Sequence, residues 1–389
     1  MRLLRRFARF WVVGLLALVL LSLPPATIAG RAGAEQNLSK IRLPPGFTIE
    51  VYAEVPGARS MTIDRSGGNL FVGTMGDAVY VVADQDKDQK ADSVRILIDD
   101  LAVPNGVAMH RGMLYVAERH RIVRYPASGF NSSVSGNKQG EVIFDRLPDK
   151  AHHGWRYLAF GPDDKLYVTV GSPCNICDVI ALEGTILRMT PDGRTWAVYA
   201  RGIRHSVGLD FQPETGVLYF TDNNTDSMGD DVPPGELNAA PKPSMHFGFP
   251  YYAGGSVRHP GWVDKSPPTK VMMPVVEFQA HVAPLAVRFY TGTMFPGEYR
   301  NDAFVAQHGS WDRSTPVGYR VMRVKFDDKG AVIGKEVFAD GWLQQGKAWG
   351  RPVDLLQLPD GSLLLSDDYQ GVIYRISYKY EGDAISPKP

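Results

Sequence analysis

The stretch DKAHHGWRYLAFGPDDKLYVTVG, residues 149–171, decides how the chain folds. Two short runs rich in aromatic and β-branched residues flank GPDD, a turn-forming tetrapeptide, and the whole reads as a β-hairpin. His152 and His153 sit just ahead of the first run, and nothing about making a hairpin requires them there.

Working outward, the same phrase recurs. It returns as MTIDRSGGNLFVGTMGDAVYVV, as NGVAMHRGMLYVAERHRIVRY, and as LAFGPDDKLYVTVG with its later GTILRM. LDFQPETGVLYFTDN follows, then VRFYTGTMFPGEYRNDAFVAQHGSW with YRVMRVKF, and last DLLQLPDGSLLLSDDYQGVIYRIS. Long segments of helical period are nearly absent. Each unit is a strand, a turn, a strand and usually a third strand, so the fold class is all-β, a six-bladed β-propeller of four-stranded antiparallel blades. A pair of β-sandwiches competes as an architecture but leaves the repetition without a cause.

The repeat also places residues in space. In a propeller every blade points the same way around the channel, so positions at one interval before the hairpin turn converge on one rim. His153 lies nine residues before Pro162, Arg204 nine before Pro213 and Arg351 eight before Pro359. Loops after the second strands join them: residues 118–120, 174–177, 222–225, 308–313, and Asp367 with Asp368. A histidine and two arginines at the mouth of an apolar channel are costly without a partner, and an anionic ligand supplies one. Salt bridges to neighbouring loops are the plainer alternative.

The chain has 389 residues, balanced charge and 44% hydrophobic content, which fits neither disorder nor a nucleic-acid footprint. Its start, MRLLRRFARF followed by WVVGLLALVLLSL and PPATIAGRAGA, has the layout of a secretory signal peptide over residues 1–34, an uncleaved anchor being the alternative. Five arginines and no acids precede residue 35, so a chain cleaved after Ala34 carries 37 basic and 42 acidic groups. The expected location is the periplasm or the exterior. The propeller then spans 40–380, and 381–389 form a tail.

The two cysteines stand in GSPCNICD as Cys174 and Cys177. In an exported chain this spacing reads as a local disulfide pinning a loop; a redox-active dithiol is the alternative, without a thioredoxin-like βαβ pattern around it. Asp178 stands where haem attachment needs a histidine. A separate metal signal lies in ADQDKDQKADSV, where Asp84, Asp86, Asp88 and Asp92 take positions 1, 3, 5 and 9 of a calcium-type loop. Gln89 and Arg95 replace the glycine and the last acid of a regular EF-hand, so a solvated acidic turn is the competing reading.

Seven phrases, HHGWRYLAFGPD, RGIRHSVGLDF, YFTDNNTDSMGDDVPPGELN, HFGFPYY, HVAPLAVRFYTGTMFP, AQHGSWDRS and GRPVDLL, follow one another as in the pyrroloquinoline quinone (PQQ)-dependent soluble sugar dehydrogenases. The chain resembles that family over nearly all of its mature length, most closely its sorbosone/aldose dehydrogenase branch. The resemblance implies PQQ and calcium at the channel rim, with oxidation of a sugar at its aldehydic or anomeric carbon. It makes His153 the catalytic general base and Arg204 the cation beside the reactive carbonyl. Arg351 becomes a carboxylate-binding arginine, and His308, Trp311, Arg313 and Asn105 become further cofactor contacts. Asn224 and Thr225 fall on the segment whose carbonyls hold calcium.

Two positions depart from the glucose dehydrogenases of the family: His152 replaces an acid before the base, and His205 replaces the asparagine of an Arg-Asn pair. His152 is read equally as a structural and as a catalytic residue. The expected partners are a sugar and a separate electron acceptor, cytochrome or quinone, with no nucleic acid; a homodimer is left open. A calcium-dependent propeller hydrolase or lactonase and a non-catalytic binding propeller are the competing functions.

Overall fold

A computed structural model describes residues 31–64, 68–127, 130 and 139–380. The signal segment up to residue 30 and the tail 381–389 lie outside the described residues. Among the described residues, no helix is long and apolar enough to cross a membrane.

The sheets follow the sequence units. Blade 1 runs Ala58–Ile63, Asn69–Thr74, Val79–Ala83, Ser93–Ile98 from the channel outward, and blade 2 runs Gly106–His110, Met113–Ala117, Ile122–Pro126, Glu141–Phe144. Blade 3 is Leu158–Phe160, Leu166–Val170, Thr185–Met189 and Trp196–Arg201. It carries a fifth, parallel edge strand, Met245–His246, which the four-stranded expectation did not include. Blade 4 is Leu209–Phe211, Leu218–Asp222, Pro234–Ala240 and Val276–Ala280, and blade 5 is Pro284–Phe289, Ala303–Gln307, Arg320–Phe326 and Val332–Ala339. Blade 6 takes Pro352–Gln357, Leu363–Asp367 and Val372–Tyr378 from the end of the chain and Phe47–Glu54 from its start. The strands Phe47–Glu54 and Val372–Tyr378 pair antiparallel from Phe47 opposite Tyr378 to Glu54 opposite Val372, which joins the two ends of the chain in one blade and closes the ring.

Burial explains the pattern along each strand. The second strands of blades 3 to 6 are buried at every position, because each blade is covered by a neighbour on both faces. Outer strands reach solvent and alternate, as Val276–Ala280 does. Six apolar clusters fill the six spaces between adjacent blades. A seventh, of Val207, Leu285 and Val353 with Trp155 against it, plugs the channel itself.

Residues 31–34, assigned from the sequence to the leader, open the helix Arg31–Asn37, and Ala34 is fully buried against the cluster between blades 5 and 6. A small residue suits a cleavage pattern and a tight packing position equally, so sequence could not separate the two.

Candidate active site

Above the apolar plug, the loops at one end of the ring enclose a cavity of about 510 Å³. His153, Arg204 and Arg351 all line it, together with His308, Trp311 and Asn224. The interval count from the hairpin turns therefore brought three residues from three blades to one place.

His153 follows the loop into blade 3 and holds a positive φ of 51°, a conformation uncommon for a residue with a side chain. Its ring stacks on His205 at 4.2 Å between centroids and lies 3.9 Å from that of His152. Gly171 permits this packing, since a Cβ there would stand 2.6 Å from the His153 Cβ and 3.1 Å from the His205 ring. The His153 Nδ1 lies 3.0 Å from the Ser172 carbonyl and 3.1 Å from its hydroxyl oxygen. A carbonyl only accepts, and the Ser172 hydroxyl gives its proton to the Cys174 carbonyl at 2.9 Å. Nδ1 is therefore the protonated nitrogen, and Nε2 keeps its lone pair. Burial, then Arg204 and His152, push the His153 pKa down to about 2, so the ring is neutral. His205 is pressed down in the same way, by burial and then by His153 and Arg204, and its Nε2 is enclosed without a hydrogen-bond partner.

Arg204 is buried with its guanidinium pinned. It bonds Asp226 at 2.6 Å, the Asn175 side chain at 2.8 Å and carbonyl at 3.1 Å, and the Asn223 carbonyl at 2.9 Å. The plainer sequence reading, a salt bridge to a neighbouring loop, describes Arg204 well. Arg351 differs: its fork donates to the carbonyls of His308 at 3.1 Å and Gly309 at 3.0 Å. Among the described residues no carboxylate forms a salt bridge with it.

Arg59 and Trp155 of the site have no place in the sequence reading, whereas Asp368 is placed on the rim without partners. Arg59 bonds Asp368 at 2.6 Å and lies 4.1 Å over the Trp155 ring, and Asp368 also bonds the His308 Nε2 at 2.8 Å. Burial pushes Asp368 up, but His308 and Arg59 together outweigh it and hold the carboxyl well below its usual range. Burial lowers His308 despite that acid. Arg59 escaped the count because the turn of its unit, DRSGG, has no proline to measure from. Its phrase PGARS nonetheless mirrors WGRPV around Arg351. Lining charges number three arginines against Asp226 and Asp368, an excess of one cation.

Other assignments move. Asn105 does not line the cavity; it is buried and accepts from Arg59 at 2.5 Å while donating to the Arg156 carbonyl at 2.5 Å, so it supports the arginine from behind. Arg313 is also absent from the lining. It ties the Asp230 carbonyl and, at 3.0 Å, the Asp231 carboxylate, docking the loop of blade 4 on that of blade 5. Thr225 is buried with its hydroxyl unpartnered, next to Asn224, whose amide donates to the Pro234 carbonyl at 2.8 Å. Trp311 lines the cavity and stands 73% exposed.

Two groups bring candidate cation ligands within 4.8 Å of one another: Asp226, His281 and Asp312 at the cavity, and Asp84, Asp86 and Asp88 far from it. The second lies in the loop between the third and fourth strands of blade 1, which topology puts at the opposite end of the ring. Asp92 is not in that group; its carboxylate accepts from the Gln85 amide at 2.5 Å and caps the loop instead.

The donor set fits PQQ and calcium. Arg351 has a fork free of acids, His205 Nε2 is a buried polar atom without a partner, and Asn224 and Thr225 offer oxygens beside an acid.

A six-bladed propeller with an electropositive cavity over a plugged channel is the class that fold and site define. Residues 261–379 match the TrAA12-like family. An uncharacterized protein of Borreliella burgdorferi is 34% identical over 359 residues, 89% of this chain and 93% of that one. The chain belongs to one family with that Borreliella protein. Solved structures of similar fold include the Trichoderma reesei carbohydrate-active enzyme of family AA12 with calcium (TM-score 0.73, 20% identity, 87% of this chain and 97% of that one). They also include the holo form of the Coprinopsis cinerea pyranose dehydrogenase PQQ domain (0.71, 18%, 87% and 97%). A third is the PQQ-bound aldose sugar dehydrogenase of Streptomyces coelicolor (0.62, 20%, 87% and 100%). These likenesses show a shared fold over most of each chain.

Proposed function

We propose that the chain is an exported PQQ- and calcium-dependent dehydrogenase that oxidises an aldose or a sorbosone-like sugar aldehyde at C1. The observation that carries the reading is the geometry of His153: Nδ1 is committed as donor and Nε2 is left free in a cavity lined by one more cation than anion. Nε2 takes the hydroxyl proton of the substrate. Bound PQQ would supply the hydride acceptor, with calcium adding a fixed charge beside it. Arg351 and Arg59 would hold carboxylates of an anionic cofactor, and Arg204, fixed by four hydrogen bonds, keeps a cation at the site. Asn224 and Thr225 would hold calcium, while the Asp84 loop would take a structural ion. The apolar plug of Val207, Leu285 and Val353 keeps water from entering through the channel.

No haem attachment motif is present at the cysteines, so electrons pass to a separate cytochrome or quinone. Export, from the leader expected over residues 1–34, would put the protein in the periplasm or outside the cell.

Reconstitution tests this directly. The purified chain with PQQ and calcium should reduce an artificial dye in the presence of aldoses or sorbosone. No reduction with any sugar, together with no PQQ-dependent absorbance change, sinks the proposal. The cluster Asp226, His281 and Asp312 favours one other reading, a calcium-dependent hydrolase in which His153 takes a proton from water. Lactone hydrolysis with calcium alone, without PQQ, is its signature.

A further inference from the structure

The loop closed by the Cys174–Cys177 disulfide has no part in the chemistry above, yet its bonds run into the centre of the site. Between the cysteines, Asn175 spends every polar atom of its side chain. Its Oδ1 accepts from Arg204 Nη2 at 2.8 Å and from the Asp226 amide at 2.9 Å, and its Nδ2 donates to the Asp226 carbonyl at 3.1 Å. Its own carbonyl accepts from Arg204 Nε at 3.1 Å. At the start of the same loop the Cys174 carbonyl takes the Ser172 hydroxyl proton, which leaves the Ser172 oxygen to accept from His153 Nδ1.

A disulfide spanning so few residues removes little entropy from the unfolded chain, so global stabilisation explains little of its placement. Its effect is local: it fixes the directions of two consecutive carbonyls, at 174 and 175. Asparagine is also the side chain the geometry calls for. It accepts from an arginine and donates to a carbonyl at once, whereas aspartate would set a second carboxylate beside Asp226 and serine has no reach to both.

We infer that the disulfide-closed loop is the positioning device of this site. Asn175 acts through Arg204, and the Cys174 carbonyl orients the Ser172 hydroxyl beside His153, whose tautomer the Ser172 backbone carbonyl itself sets. The inference rests on the proposed function for its catalytic consequence, but the positioning itself is measurable without cofactor. Reduction by a dithiol opens the disulfide to two thiols and frees both carbonyls to turn.

The test compares oxidised wild type, dithiol-reduced wild type and Asn175→Ala. Nitrogen-15 NMR of the cofactor-free protein reads the His153 ring nitrogens and the Arg204 Nε proton. Oxidised wild type should show one His153 tautomer, protonated at Nδ1, and a slowly exchanging Arg204 Nε proton. Reduction and Asn175→Ala should both speed Arg204 exchange, because each loosens the Asn175 bonds that hold the guanidinium. With PQQ and calcium, both should lower kcat about 10–100-fold at unchanged KM for the sugar, as loss of an orienting partner does. Unchanged NMR signals in both altered forms overturn the inference. So does a fall in kcat matched by equal losses in KM and thermal stability, which marks a structural role. If no form turns over sugar while the NMR changes occur, the positioning stands and the dehydrogenase reading fails.

Discussion

Two histidines on opposite sides of the cavity, His153 and His308, are built oppositely. On the side of blades 3 and 4, His153 has no acid within its hydrogen bonds and leans on a carbonyl, a hydroxyl and two other imidazoles. On the side of blades 1, 5 and 6, His308 gives its Nε2 to Asp368, which also holds Arg59. The first ring is left with an unused lone pair. The second is locked into a charged network. A base needs the former, and an anchor for a multiply charged ligand needs the latter.

The largest effect that tests this contrast is on turnover. His153→Gln should lower kcat by about 10²–10⁴-fold while PQQ still binds, as read by absorbance. If Asp368→Asn loses turnover to the same degree with its fold intact, the two sides have been assigned the wrong way round. That second variant should instead act on stability. The Arg59 and Asp368 side chains are 4% and 6% exposed, and stranding the buried guanidinium costs about 3–5 kcal/mol in a denaturant melt.

Arg351→Ala should weaken PQQ binding by about 10–100-fold, the worth of a charge-assisted bond or two, measured by titration in calcium. The pH dependence of folding is smaller. His205 is pressed below its ordinary range, so the unfolded chain takes up a proton that the folded one refuses. Its contribution is present above the unfolded value and is lost as pH falls below about 6.5. Asp367, pushed up to about 7 by burial, works oppositely and loses its contribution as pH rises through that value. His205→Asn should therefore flatten the acid side of the stability profile by up to about 1.4 kcal/mol per pH unit, read from thermal midpoints between pH 5 and 7. Smallest is His152→Ala. Its ring is exposed and lies tilted against that of His153 at 3.9 Å between centroids, so a change of no more than a few-fold in kcat is expected, and a larger one would make it part of the base.

Much of this was legible along the chain, for a physical reason. Hairpin turns and strand runs are local, so LAFGPDDKLYVTVG and its five relatives declared the blades without reference to anything distant. Counting back from the turns then carried His153, Arg204 and Arg351 to one rim. The count stopped where its marker stopped: DRSGG has no proline, and Arg59 was missed. Arg313 failed for another reason, since an arginine near the rim reads the same whether it faces the cavity or a neighbouring loop.

The sequence by itself determined the propeller, its six units, the disulfide spacing and the rim positions, because these depend on residues close in the chain. Tertiary structure alone decided which groups pair across blades. Asp368 meeting Arg59 and His308, Asn175 gripping Arg204, and His205 stacking on His153 join residues from different blades. Their distances follow from the closure of the ring and from the packing of apolar clusters between blades, which no local pattern encodes.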